Sequence, residues 1–175
     1  MGISSVYNQR LVFLFYDAFV LTLLNTNGSN MYNGLLHAHS GLRWIVLILL
    51  LAAIFNAFSK KKSGVWTAKD KKLSMFAMVF THIQFLIGLV LYFKSPKVNF
   101  MEGFMKDDVL RFFAVEHISM MIIAIALITI GHSKSKKAVT DAKKFGAIAT
   151  FYLFGLILIL ASIPWPFRNL GGSWF

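Results

Sequence analysis

Cysteine is absent from all 175 residues. Its absence excludes disulfides, iron–sulfur clusters, thiolate zinc sites, thiol redox chemistry and the C-x-x-C-H attachment of c-type haem. Any metal or haem must then be held by His, Met or oxygen ligands. Acidic residues are also scarce, seven Asp and Glu against eighteen Lys and Arg. The charged fraction of 14% is about half of the roughly 25% found in soluble domains. There is no G-x-S-x-G and no phosphate-cradling glycine loop, and the pair Gly171-Gly172 lies in a short tail, so nucleophilic enzyme chemistry has no carrier.

What the chain does contain is apolar sequence, 57% of it, in four long runs: about residues 35–58, 73–93, 109–130 and 145–165. Each is near the ~20 residues that a helix needs to cross ~30 Å of hydrocarbon. Ser63-Gly64, Ser95-Pro96, Ser133 to Lys137, and Pro164 with Pro166 mark the expected breaks. These runs predict an all-α membrane protein, an up-down bundle of four transmembrane helices within residues 31–175. Residues 1–30 form a separate extension. Its segment Leu11 to Leu24, interrupted by Asp17, has three open readings: a signal-like apolar region preceded by Arg10, an extra short N-terminal helix, or sequence upstream of a true start at Met31.

The net charge of +11 would suit nucleic acid if the cations formed a surface with aromatics between them. Instead, Lys60, Lys61, Lys62, Lys69, Lys71 and Lys72 fall in one connection, and Lys134, Lys136, Lys137, Lys143 and Lys144 in another. A topology signal explains this placement without nucleic acid as a partner. By the positive-inside rule, loops 59–72 and 131–144 are cytoplasmic, and the C-terminus and the start of the first helix lie outside. The expected location is a membrane, crossed several times, with the lipid bilayer as solvent.

Ionisable residues within the spans cost on the order of 2.5–3.5 kcal/mol each, so each needs a reason. The first run opens with His37, His39 and Arg43, the second carries Thr81, His82 and Gln84, and the third carries Arg111, Glu116 and His117, with His132 at its end. His39 and Arg43 share a helix face, whereas His37 points about 200° away from His39. Two imidazoles facing across a bundle are what bis-histidine ligation of haem b requires. His117 is one axial candidate. His82 pairs with it on depth; His39 does so if the first and third helices face each other across the bundle diagonal. Arg43 and Arg111 are propionate candidates, and Glu116 a residue that could orient an imidazole. Met78, Phe85 and Leu89 beside His82, and Met120 and Met121 beside His117, are expected to line a macrocycle. The plainer reading of any such His is an interhelical hydrogen bond of about 0.6 kcal/mol.

His-Ser-Gly-Leu-Arg-Trp at 39–44, His82 with the stretch 83–92, Val-Glu-His-Ile-Ser-Met-Met at 115–121 and Ile-Pro-Trp-Pro-Phe-Arg at 163–168 resemble a family of small four-helix bacterial membrane proteins commonly labelled cytochrome b. The resemblance covers about residues 31–175 and implies haem b, electron transfer and a place in the bacterial inner (cytoplasmic) membrane. With no histidine in the fourth run, one non-covalent haem at most is comfortable. The function expected is electron transfer to or from quinone or another membrane respiratory subunit. A cofactor-free accessory or assembly subunit and a metal or proton conductor are the alternatives.

Overall fold

The computed structural model describes residues 28–172 and Trp174, so the readings of the segment 11–24 fall outside the described residues. Four helices are long and apolar enough to cross a membrane: α1 (Gly28–Lys60), α2 (Ala68–Lys94), α3 (Asp108–Lys137) and α4 (Asp141–Ser162). Among the described residues there is no strand. That is the pattern of a multi-pass membrane protein, because a helix satisfies every backbone polar group within its own segment. The helices run up and down: α1 packs on α2 and α4, α3 packs on α4 and α2, and α1 therefore faces α3 across a diagonal. The α2–α3 side is the loosest of the four.

Burial follows the inversion expected in lipid. Leu50, Ala53, Ala77, Ala124, Ile128, Ala149, Tyr152 and Leu156 fill the interior, while Ile48, Leu51, Phe55, Leu86, Ile122 and Phe154 point outward. Close approach of α3 and α4 depends on Gly155, where an added Cβ would stand 2.7 Å from Ile128 Cγ1. The buried Tyr152 hydroxyl donates to the Ser74 carbonyl at 2.8 Å, tying α4 to α2 across the other diagonal.

The helices outrun the apolar runs. α1 starts at Gly28, not near residue 35, and its 33 residues reach about 50 Å. The break expected at Ser133 to Lys137 is instead the last turn and a half of α3. Lysines are good helix formers, and near a helix C-terminus they complement the dipole, so polarity there marks the exit from lipid without ending the helix. α4 begins earlier than expected, capped by Thr140, and stops at Ser162, before Pro164.

The first lysine-rich connection is pinned by one carboxylate. Asp70 Oδ1 accepts from Asn56 Nδ2 at 2.8 Å and Lys60 Nζ at 2.7 Å, and Oδ2 accepts from the Thr67 backbone N–H at 2.8 Å and hydroxyl at 2.6 Å. The end of α1 is thereby fastened to the start of α2. Its side chain is 2% exposed. Asp70→Ala should cost about 2–3 kcal/mol, because hydrogen bonds to a charged group are the strong ones. A clear fall in the melting temperature of the detergent-solubilised protein checks this, and an unchanged melting curve would contradict it.

Candidate functional site

A helix ends by leaving carbonyls without N–H partners, and the sequence at the end of α4 makes this acute. The N–H that would bond the Leu160 carbonyl belongs to residue 164 and that for Ser162 to residue 166, and both are proline. Side chains take their place. The Trp165 indole donates to the Leu160 carbonyl at 3.0 Å, Arg168 donates to the Ala161 carbonyl at 2.8 Å, and His117 Nδ1 lies 2.7 Å from the Ser162 carbonyl. A carbonyl only accepts, so His117 Nδ1 carries the proton and its Nε2 keeps a free lone pair.

His117 reaches that position through a change of helix type. Residues Phe112–Glu116 form a π-turn inside α3, with the His117 N–H bonded to the Phe112 carbonyl. Such a bulge advances the helix phase and is frequent at functional sites. The same turn lets Arg111 Nε donate to Glu116 Oε1 at 2.8 Å across five residues, while Arg111 Nη2 donates to Asp108 at 2.7 Å.

On α1, the His39 ring lies against Gly88 of α2, where a Cβ would stand 2.9 Å from Cε1. Gly in a helix interior costs about 1 kcal/mol relative to Ala, and here it makes room for the imidazole. Gln84 Nε2 donates to the His39 carbonyl at 2.8 Å. The rings of His39 and His117 meet across the diagonal with centroids 6.5 Å apart and an interplanar angle of 73°.

Between these elements lies a cavity of about 180 Å³ along the loose α2–α3 seam, lined by both imidazoles and largely apolar side chains such as Phe85, Leu91, Phe113, Ile118 and Met121. Gly88 sits about 9 Å from the end of α2, so the cavity lies toward the end of the bundle away from the lysine-rich connections. Tyr32, Arg43, Ser95 and Lys97 also line it. Arg43 Nη2 donates to the Trp174 carbonyl at 2.8 Å, and Lys97 Nζ to the Gly171 carbonyl at 2.8 Å, so the C-terminal tail lies over both cations.

Of the residues singled out from the sequence, the structure therefore brings His39, His117 and Arg43 to one cavity, with Thr81, Gln84, Phe85 and Met121. His82 lies elsewhere: its Nδ1 is 2.8 Å from the Met78 carbonyl and its Nε2 3.2 Å from the Thr129 hydroxyl, which itself donates to the Ile125 carbonyl at 2.7 Å. Arg111 and Glu116 pair with each other off the cavity wall, and Met78, Leu89 and Met120 are also off it. His37 is exposed, and His132 sits near the lysine-rich end of α3. Lys97, Gly88 and the Ser162 carbonyl were missed. Gly88 inside an apolar helix and the Pro-x-Pro at 164–166 were the available signals; the π-turn had none. Among the described residues no three His, Cys, Asp or Glu side chains group as a metal site.

No family model matches this sequence, and no curated protein or solved structure matches it either. Thr129→Val should cost only about 0.6 kcal/mol, the value of an ordinary interhelical hydrogen bond. Thermal unfolding in detergent checks it; a loss above about 2 kcal/mol would mean that His82 does more than join α2 to α3.

Proposed function

We propose that the protein is a membrane-embedded haem b protein for electron transfer, with His39 and His117 as the axial ligands, exchanging electrons with quinone or a neighbouring respiratory complex. One observation carries this reading. Two imidazoles bound to one metal through bonds of about 2.0–2.1 Å, with roughly 1.1 Å from each nitrogen to its ring centre, have centroids about 6.3 Å apart. The rings of His39 and His117 stand 6.5 Å apart. The ring planes can take any mutual angle, since each turns about its own metal–nitrogen axis.

The donor set supports a macrocycle over a bare ion. Two histidines, with no Cys, Asp or Glu beside them on the wall among the described residues, are too few for a tetrahedral or octahedral site, whereas a porphyrin brings four nitrogens of its own. Bound haem would supply a one-electron couple that this chain's side chains lack. Phe85, Leu91, Phe113, Ile118 and Met121 offer apolar surface to a macrocycle, His117 is oriented by the Ser162 carbonyl, and Arg43 and Lys97 at the mouth provide charge for two carboxylates. On this reading the lysine-rich end faces the cytoplasm of a bacterial inner membrane, in keeping with the positive-inside rule, and the haem site lies in the outer half of the bilayer. In a cofactor-free accessory subunit the His82–Thr129 contact would serve equally well, but the two facing imidazoles would have no role.

Absorption spectra of protein purified in mild detergent from haem-replete cells test the reading. The native protein should show a sharp reduced α-band and near-stoichiometric haem b by pyridine haemochrome. His82→Ala should keep it, and the double variant His39→Ala/His117→Ala should lose it. Lys97→Ala should weaken haem retention about tenfold, as expected for one charge-assisted hydrogen bond. A folded but colourless native protein would overturn the proposal in favour of the accessory subunit.

A further inference from the structure

The two imidazoles are not held alike. His117 is locked, its Nδ1–H donated to the Ser162 carbonyl at 2.7 Å and its ring packed against Phe112 at 5.8 Å and Phe113 at 6.4 Å between centroids. That carbonyl is available because Pro166 has no N–H to occupy it. His39 has no such support: its Nδ1 is buried with no hydrogen-bond partner among the described residues. A hydrogen bond on the far nitrogen both orients a ligand imidazole and raises its basicity, so His117 is the stronger donor and His39 the weaker.

A second unpaired atom lies on the same cavity. Gln84 Nε2 is committed to the His39 carbonyl, which leaves Gln84 Oε1 buried with no hydrogen-bond partner among the described residues. A buried unpaired acceptor is destabilising, and so is a buried unpaired donor. Rotation of the His39 side chain that brought an N–H to Gln84 Oε1 would satisfy both, offsetting part of the cost of releasing a metal. Gly88 leaves the ring free of a side chain on that flank, and the α2–α3 side is the loosest of the bundle.

Resting on the haem reading above, we propose that His117 is the permanent ligand and His39 a displaceable one, so that a neutral diatomic molecule can take the His39 position in the ferrous protein. The exchange breaks one metal–nitrogen bond and forms one bond to the incoming molecule. No electron changes hands, and the imidazole leaves neutral. The wall near His39 suits such a ligand, since Phe85, Gly88 and Leu91 are apolar and Gln84 supplies a polar group.

Carbon monoxide is the probe, applied to the dithionite-reduced full-length protein in detergent, with haem content measured first. The native protein should carry haem and shift its Soret band under carbon monoxide. His39→Ala should retain haem and bind the gas faster, whereas His117→Ala should lose haem. Gly88→Ala, whose new Cβ would crowd His39 Cε1 at 2.9 Å, should accelerate binding about tenfold while leaving His117 untouched. A haem-loaded native protein whose spectrum ignores carbon monoxide would overturn this inference and leave the haem reading standing. So would a His117→Ala variant that keeps haem while His39→Ala loses it. A native protein without haem would overturn both.

Discussion

A polar group inside hydrocarbon has no water to turn to, so it must find its partner within the chain. The backbone solves this by forming four long helices, and the places where the helices themselves fail to solve it are where this protein becomes specific. At the end of α4 the two prolines strip two carbonyls of their N–H partners, and the Trp165 indole and the His117 imidazole are drawn in to replace them. Arg168 covers the carbonyl between. A helix terminus and a candidate ligand are thus parts of a single hydrogen-bond arrangement, in which the carbonyl is satisfied and the imidazole is held in one tautomer.

The same requirement separates the histidines. His82 has carbonyl and hydroxyl partners at its two ring nitrogens and joins α2 to α3. His117 commits one nitrogen and keeps the other for the cavity, while His39 opposes it from α1. Because α1 and α3 stand on a diagonal, the space between their imidazoles is the middle of the bundle, and the α2–α3 side beside it is the most loosely packed. The lysine-rich end has the opposite character. There Asp70 gathers Asn56, Lys60 and Thr67, and Asp141 accepts from the Trp66 N–H at 3.0 Å and Lys144 at 2.8 Å, so the connections are tied down. One end of the bundle is fastened and the other holds the cavity.

The four apolar runs, the scarcity of acid and the lysine clusters were enough to read a four-helix membrane bundle from the amino-acid order, because hydrocarbon demands length and hydrophobicity whatever the tertiary packing. The same order picked out His39, His82, His117 and Arg43 as groups too costly to bury without purpose. It could not choose between His82 and His39. Depth along a helix is a sum over residues and can be counted, but azimuth depends on helix phase, and the π-turn at Phe112–Glu116 alters that phase with no mark in composition. Lys97, remote from the histidines along the chain, came to the cavity only because α2 ends beside it and the tail folds back over it. Sequence alone thus determined which segments cross lipid and which side chains need partners. Tertiary structure decided which partners they found, since that depends on helix rotation and on which helices share a diagonal, and neither is a property of any one segment.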